Sequence, residues 1–262
     1  PAAEIAKPVA LVNPKLGEAP GARVLAGVGV AFKLCHALLR NARSHGQPGA
    51  GDLDLRNHLD LVALGTIADV VPLTGENRIF AVHGLRRINT APTPGIRALA
   101  EVAAIKGAIA ARHVGFALGP RLNAAGRMGD AHVALELLLA TDAAVAACLA
   151  GQLDKANSER RQIEAAMLQE ARREIDAVWD PVTQFGLTVT GAGWHPGVLG
   201  IAATRLSSTY CRPVALAAFD DTGLGRGSAR SCAGMDLVAT LRECAGSLES
   251  FGGHAQAAGF VV

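Results

Sequence analysis

The fold is decided by the stretch DAAVAACLAGQLDKANSERRQIEAAMLQEARREIDAV, residues 142–178, which contains one glycine and no proline. Asp142 or Thr141 can cap its start, and Pro181 ends it. A helix of that length would reach ~55 Å, so the pattern predicts a long connector between two domains. The expected apolar stripe is Val145, Leu149, Leu153, Ala156, Ile163, Met167 and Ile175, with Lys155, Arg160 and Glu164 among the charged residues outside it.

Strands and helices alternate after this stretch, which predicts a small α/β domain. The expected strands are Phe185–Thr190, Pro213–Phe219 and Gly259–Val262, and the expected helices are Gly197–Tyr210 and Asp236–Cys244.

Residues 1–140 alternate short apolar runs with helical patterns. Because the chain begins with Pro1 in a segment typical of mid-chain sequence, we expect it to be truncated at the N-terminus. The pattern predicts a strand at Val9–Val12, helices at Ala26–Arg40, Arg78–Ile88 and Ile96–Ala104, and a buried apolar run at Leu59–Val71.

Composition indicates a globular protein, since half of the residues are apolar and 18% are charged. A net charge of +2 requires any anion site to be a local cluster of basic residues. The five cysteines lack zinc-finger spacing and fit a reducing compartment. No apolar run reaches membrane-spanning length, so we expect a cytoplasmic protein that does not bind a membrane.

Asp69 lies in the apolar segment LVALGTIADVVPL, residues 61–73. A carboxylate there is costly unless it is paired, hydrogen-bonded or bound to metal. Spacing alone leaves a helix cap, a buried Asp–Arg pair and a metal ligand open. Upstream, capping and solvated-loop roles explain a second acidic group better than metal binding does: Asp52, Asp54, His58 and Asp60.

Two arginine-bearing segments could hold phosphate. In GPRLNAAGRMG, residues 119–129, Arg121, Asn123 and Arg127 fall in what the glycines predict to be a loop, and the alternative is a connection to a helix from Ala131 capped by Asp130. GRGSARS, residues 225–231, would be extended, and alternation would then place Arg226, Ser228 and Arg230 on one face and Gly227 and Ala229 on the other. We favour a phosphate clamp there over a solvated edge strand.

Two further segments contain histidine. GWHPGVLGI, residues 193–201, places His195 before a helix, where free N–H groups favour an anion, although an ordinary helix start explains it too. FGGHAQAAGF, residues 251–260, contains Gly252, Gly253 and His254, and a turn into a buried strand explains that segment when it is taken alone.

Together and in this order, these segments resemble the single-strand-specific DNA exonucleases of the DHH phosphoesterase superfamily. The resemblance runs from about Pro1 to Val262. The matching stretches are ALVNP (10–14), LAGVGVAF (25–32), residues 61–73, GFALGPRLNAAGR (115–127), WHPGVLGI (194–201), GSARS (227–231) and GGHAQAAG (252–259).

The resemblance implies an α/β fold in which residues 1–140 are the C-terminal, helix-rich part of a DHH catalytic domain. Residues 141–180 would be the connector and residues 181–262 a smaller DHHA1 substrate-binding domain, with the strand entering between the domains. It further implies two Mn²⁺ or Mg²⁺ ions, most of whose ligands lie outside this chain. Asp69 matches one catalytic metal ligand of the family.

The resemblance also implies 5′→3′ exonuclease action in DNA repair and recombination. Its ligand would be single-stranded DNA, and its candidate partners are a single-strand-binding protein and a recombination helicase. Two alternatives stay open: a non-catalytic nucleic-acid-binding relative, and a sister phosphoesterase acting on short oligonucleotides or cyclic dinucleotides.

The expected nucleic-acid contacts follow the family motifs. Ser228, Arg230 and either Arg121 or Arg127 would hold phosphate, with base stacking on Trp194 or Phe251. One departure is Ala229, where many members of the family carry glycine; its methyl should still allow an extended strand but could crowd a phosphate. The full expected set is Arg121, Asn123, Arg127, His195, Arg226, Ser228, Arg230, Gly252, Gly253 and His254.

We expect no appreciable nuclease activity from this chain alone, because one aspartate cannot hold two metal ions against water. The test measures nucleotide release from the 5′ end of single-stranded DNA with Mn²⁺ present. Clear turnover by the purified chain would contradict the expectation.

Overall fold

The computed structural model describes residues 10–16, 21, 23–232 and 234–262. Val9 lies outside this part, and residues 10–12 of the predicted first strand are irregular. The chain divides into two compact units. The first contains the described residues up to Ala125 together with Ala131–Asp154, and the second contains Gly126–Asp130 and Lys155–Val262. None of the described helices is both long and apolar enough to cross a membrane.

The first unit is helical and includes the predicted helices with small shifts in their ends. Its helices are α1 (Gly27–Ser44), α2 (Leu59–Ala68), α3 (Gly75–Thr90), α4 (Pro94–Val102), α5 (Ala111–His113), a π-helical turn (Val114–Leu118), α6 (Gly119–Met128) and α7 (His132–Leu139).

Helices α2 and α3 approach each other at Gly84, which is buried in α3. A Cβ atom there would collide with the Leu59 carbonyl oxygen and the Ala63 side chain of α2. The small residue therefore permits the close contact around which the core of the first unit is built. That core includes Ala63, Leu64, Ile88, Ile96, Leu99, Leu118 and Leu137.

The loop predicted at residues 119–129 is wrong, because most of this segment forms helix α6. α6 continues directly from the π-helical turn Val114–Leu118, so Pro120 lies within an unbroken run of helix, just after the wider turn. Ala124 and Ala125 are buried, and a Cβ on Gly119 would approach Ala68. Tertiary packing thus overrides the helix penalty of the glycines. The next helix, α7, has Ala131 rather than Asp130 at its N-cap position.

The long helix is confirmed as α8, Ala143–Val178, whose 36 residues extend about 54 Å. The Asp142 carboxylate accepts a hydrogen bond from the Val145 N–H at 2.9 Å and caps its start.

The buried stripe of α8 differs from the predicted one. Val145 is exposed, whereas Arg160 and Glu164, expected on the charged face, are buried. Successive steps of three and four residues generate the observed stripe. It comprises Ala146, Ala150, Leu153, Asn157, Arg160, Glu164, Met167, Ala171 and Ile175.

The second unit contains a five-stranded sheet in the order β1-β2-β3-β5-β4. β1 and β2 are parallel, and the other neighbouring pairs are antiparallel. This confirms the predicted α/β character of the C-terminal part. The elements are β1 (Leu187–Ala192), α9 (Pro196–Tyr210), β2 (Val214–Phe219), β3 (Gly225–Arg230), α10 (Leu237–Glu243), β4 (Ser250–His254) and β5 (Ala257–Val261).

The two faces of β3 have different surroundings. Ser228 lies on the face toward α9, since a Cβ on Gly200 of that helix would be 3.2 Å from its Oγ. Ala229 points the other way into an apolar cluster with Leu237 and Ala258. The expectation that the Ala229 methyl crowds a phosphate is therefore wrong, because alternation turns it away from the Ser228 face.

Gly84→Ala should destabilise the first unit by roughly 1–3 kcal/mol, because the methyl meets backbone that cannot move freely. Gly151→Ala is the matched control, since Gly151 lies in α8 with open space around its Cβ position. Chemical denaturation of both variants measures the change. Equal stability of the two variants would contradict the packing described for α2 and α3.

Tyr210 is the single tyrosine of the chain, so absorbance titration of tyrosine reports on it alone. Burial, followed by the hydrogen bond to Asp176 and its charge, raises the pKa of Tyr210 to about 12. The free energy of folding that is linked to this shift is present below about pH 10, the unfolded pKa, and is lost as pH rises toward 12.

Asp176→Asn should lower the midpoint of the Tyr210 titration. The midpoint should not return to about 10, since burial is the largest cause of the raised pKa of Tyr210. Circular dichroism at the same pH values verifies that the chain is folded. A midpoint near 10 in the folded chain would contradict the expectation.

Candidate functional site

Asp69 terminates the buried helix α2 rather than lying within it. The helix ends at Ala68, and Asp69 occupies the C-cap position with an exposed side chain. Val70 is 85% exposed, so the expected burial of the whole run to Val71 is wrong. The apolar sequence continues past the helix end, but the chain turns out of the core there.

The turn after Asp69 is strained and is held by a buried side chain. Val70 has a φ of 57°, a left-handed conformation that is rare for β-branched residues. Asn77, which is fully buried, donates from its amide to the Pro72 carbonyl at 3.0 Å and to the Val24 carbonyl at 2.7 Å. Strain of this kind clusters at functional sites. Sequence reasoning missed Asn77, whose only signal is a short polar residue inside a helix.

Asp69 lines a groove of about 500 Å³ in the first unit, together with Asn123. These are the two polar side chains of the groove, and the remaining described lining residues are apolar or glycine. The structure thus brings together two residues that the sequence analysis singled out in separate motifs.

Asp69 fits the role of one metal ligand. Its oxygens are donors that Mg²⁺ and Mn²⁺ prefer, and across the described ranges its carboxylate has neither a hydrogen bond nor an ion pair. The same ranges contain no group of three or more His, Cys, Asp or Glu side chains arranged to hold a metal ion. The described residues therefore offer one carboxylate that could bind a metal ion and not a complete ligand set.

Two upstream acidic residues have structural roles: Asp54 is a local cap, as expected, whereas Asp60 is buried, accepts a long-range hydrogen bond and does not lie in a solvated loop. Asp54 accepts from the Arg56 N–H at 3.0 Å and caps a short 3₁₀ helix. Asp60 is fully buried and accepts from the Thr93 N–H at 2.9 Å.

The two candidate arginines of α6 have different roles. Arg121 is ion-paired with Asp154 at 2.8 Å and also donates to the Ala117 carbonyl, which occupies its guanidinium within the first unit. Arg127 belongs to the second unit, where it donates to the Gly197 carbonyl at 3.3 Å. This placement brings Arg127 to the start of α9.

The Arg230 guanidinium, on the face of β3 that contacts α9, is hydrogen-bonded to residues of both elements. Its Nη1 donates to the Ser228 hydroxyl at 2.9 Å and to the Ala229 carbonyl at 2.8 Å. Its Nε donates to the Thr204 hydroxyl of α9 at 3.1 Å. These hydrogen bonds fix the plane of the guanidinium, as a clamp on phosphate requires.

Arg230 also has a like-charged neighbour. Burial, followed by the charge of Arg127, lowers the pKa of the Arg230 guanidinium. Among the described groups, no carboxylate raises that pKa again. Two neighbouring guanidiniums, one of them half-buried, form an environment that an anion would stabilise.

A buried ion network extends this cluster of positive charge. Glu164 of α8 accepts from Arg160 at 2.7 Å and is ion-paired with Arg205 of α9 at 2.8 Å, and its own side chain is 2% exposed. Burial lowers the pKa of Arg160, the Glu164 charge raises it, and Arg127 and then Arg205 lower it again. One buried carboxylate thus serves several arginines. Sequence reasoning missed this network because it assigned Arg160 and Glu164 to the solvent.

His195 and Trp194 mainly support the start of α9. The His195 Nδ1 accepts from the Gly197 N–H at 3.1 Å and caps the helix. Trp194 is buried and its indole N–H donates to Glu170 at 2.9 Å. The prediction that bases stack on Trp194 is therefore wrong, since the ring is buried.

His254 and Arg230 line one cavity of about 790 Å³, which also includes Thr204 and Ser231. His254 is exposed, and its Nδ1 accepts from the Gln256 N–H at 3.2 Å in the turn between β4 and β5. Gly253 has a φ of 150°, and a side chain there would collide with β5. The GGH motif thus allows the tight hairpin that presents His254 to this cavity.

Three other expected contacts lie on the strands of the sheet. Arg226 is exposed at the opposite end of β3 from Arg230, roughly 13 Å along the strand, and its charge contributes to the lowered pKa of Asp220. Gly252 is exposed in β4 with open space around its Cβ position. Phe251 is half-buried opposite Phe260.

Comparison with known proteins identifies similar sequences and structures. Residues 182–262 match the DHHA1 domain family. The single-stranded-DNA-specific exonuclease RecJ of Dickeya dadantii (strain 3937) is 46% identical over 272 residues, covering 99% of this chain and 46% of that protein. The chain therefore spans about half the length of this curated relative.

Two solved structures are similar over 89% of this chain. RecJ from Thermus thermophilus in complex with Mg²⁺ has 39% identity and a TM-score of 0.76, and the match covers 35% of that chain. An exonuclease RecJ bound to manganese has 40% identity and a TM-score of 0.74, with 56% of that chain covered. The resemblance predicted from the motifs is thus confirmed: the helix-rich first part, the long helix and the DHHA1 domain relate this chain to the RecJ exonucleases of the DHH superfamily.

Proposed function

We propose that this chain is the substrate-binding part of a 5′→3′ exonuclease specific for single-stranded DNA. In this proposal residues 1–140 belong to the catalytic domain, residues 141–180 form the connector and residues 181–262 bind the strand. The DHHA1 match at residues 182–262 supports the last assignment. The placement of Arg127 at Gly197 and of Arg230 at Gly200, both along α9 and with Ser228 beside Arg230, is the observation that carries the proposal.

Arg127, Ser228 and Arg230 would bind the phosphate at the 5′ end of the strand. A terminal phosphate carries more negative charge than an internal one, so adjacent guanidiniums favour it. Arg121 is left out because Asp154 already neutralises it. Selection of the 5′-terminal phosphate would give the enzyme its direction.

The cavity that Arg230 shares with His254 would hold the nucleotide next to that phosphate. Its hydroxyl and imidazole groups suit a polar ligand. With Trp194 buried, base stacking falls to Phe251. Hydrogen-bonded contacts and charge would then contribute more to binding than aromatic stacking does.

Asp69 would be one ligand of a divalent-metal site whose other ligands lie in the part of its relatives that this chain does not span. When bound, Mn²⁺ or Mg²⁺ supplies Lewis-acid activation of water and stabilises charge on the phosphate. The relatives crystallised with these ions support that choice of metal. Asn123, which lines the same groove as Asp69, would orient the substrate there.

The place of action would be the cytoplasm, in DNA repair and recombination. A single-strand-binding protein and a helicase would supply the unpaired strand on which such an exonuclease acts.

Arg127→Ala and Arg230→Ala should each weaken binding of a 5′-phosphorylated single strand by about tenfold or more, since each removes a charge-assisted contact. The salt dependence of log K should also decrease in slope by about 0.7 per lost contact. Fluorescence anisotropy at several salt concentrations, with 5′-phosphate and 5′-hydroxyl strands, measures both effects.

Arg242→Ala is the matched control, because it removes the same charge from α10. It should leave the preference for the 5′-phosphate unchanged. If all three variants lose affinity equally for both strands, Arg127 and Arg230 contribute only general charge and the assigned phosphate site is wrong.

A further inference from the structure

Helix α9 lacks a side chain at the point where it faces the Arg230 guanidinium. A Cβ atom on Gly200 would lie 2.5 Å from Nη2 of Arg230 and 3.2 Å from the Ser228 hydroxyl. Glycine inside a helix costs up to about 1 kcal/mol relative to alanine. The position of Gly200 therefore calls for a reason beyond the helix itself.

Thr204, one helical turn after Gly200, completes the contact with Arg230. Its hydroxyl donates to the Gly200 carbonyl at 2.8 Å and accepts from the Arg230 Nε at 3.1 Å. The first hydrogen bond orients the hydroxyl oxygen so that its lone pairs are available to the guanidinium.

The three nitrogens of Arg230 thus have different surroundings. Nε is bound by Thr204, and Nη1 is bound by Ser228 and the Ala229 carbonyl. Nη2, which lies against Gly200, donates to no acceptor in the described residues. Its two N–H groups remain as donors for a ligand.

We infer that Gly200 and Thr204 are positioning residues that together seat the Arg230 guanidinium with Nη2 free to bind a terminal phosphate. This inference rests on the proposed function and deepens it. Gly200 acts by leaving space, and Thr204 acts by fixing the rotation of the guanidinium.

The positioning role of Gly200 can be distinguished from a purely structural role. The atoms that a methyl on Gly200 would meet all belong to side chains, and the nearest is the far end of the long Arg230 side chain. The fold can therefore accept alanine by moving the guanidinium, in contrast to Gly84, where the methyl meets backbone. Substitution of Gly200 should spare stability and displace the phosphate-binding group.

The experiment uses the 262-residue chain, oligonucleotides with a 5′-phosphate or a 5′-hydroxyl, and thermal unfolding. Gly200→Ala should lower affinity for the 5′-phosphate strand about tenfold, leave affinity for the 5′-hydroxyl strand within about twofold, and leave Tm unchanged or raised. Gly151→Ala is the control for a helical glycine with open space and should change neither affinity.

Thr204→Val should produce a similar loss, since it keeps the branched shape and removes the hydroxyl. Thr204→Ser, which keeps the hydroxyl, should bind the 5′-phosphate strand as the unmodified chain does. In an Arg230→Ala background, Gly200→Ala should have no further effect, because residues that act through one group are not additive.

Three results would overturn the inference. Undiminished preference for the 5′-phosphate in Gly200→Ala means that Gly200 does not position Arg230. A fall in Tm with equal loss for both strands indicates a structural role only. If the unmodified chain itself does not distinguish the two strands, the proposed phosphate site is wrong and the inference is wrong with it. If Gly200→Ala and Thr204→Val both keep the preference for the 5′-phosphate strand, the inference alone is wrong.

Discussion

The arrangement around β3 depends on a half-buried guanidinium beside another of the same charge. Arg230 loses hydration and is repelled by Arg127, and both effects disfavour its charged form. The surrounding protein offsets this with neutral acceptors and not with a carboxylate: the Ser228 hydroxyl, the Ala229 carbonyl and the Thr204 hydroxyl. A carboxylate would have neutralised the site, whereas neutral acceptors keep its positive charge available to an anion.

In the buried network of α8, by contrast, a carboxylate compensates the arginine charge. Arg160 lies within the hydrophobic stripe of the helix, where an unpaired charge would be strongly unfavourable. Glu164, one turn further along, pairs with it and with Arg205 of α9. The network ties α8 to the helix that contacts Arg230. Within the second unit, these paired arginines support structure, whereas the protein acceptors of Arg230 are neutral.

The elements of the C-terminal part could be predicted because turns and period changes mark them. The strands at residues 185–190 and 213–219 and the helix at 197–210 agree with β1, β2 and α9 within a few residues. Local rules failed at α6, where buried Ala124 and Ala125 outweigh the glycine penalty, and at Trp194, whose indole is covered in the core. They also failed at Val70, which was expected to be buried, because an apolar run does not reveal where a helix ends and the chain turns outward.

The sequence by itself determined the family, the long helix and the alternation that sets Ser228 and Arg230 apart from Ala229. These depend on motif order and on the fixed periods of helix and strand, which are local properties. Only the tertiary structure decided that Arg121 is paired with Asp154, that Glu164 is buried, and that Gly200 faces Arg230. Each of these is a contact between residues distant in the chain or a degree of burial, and neither is encoded in spacing along one segment.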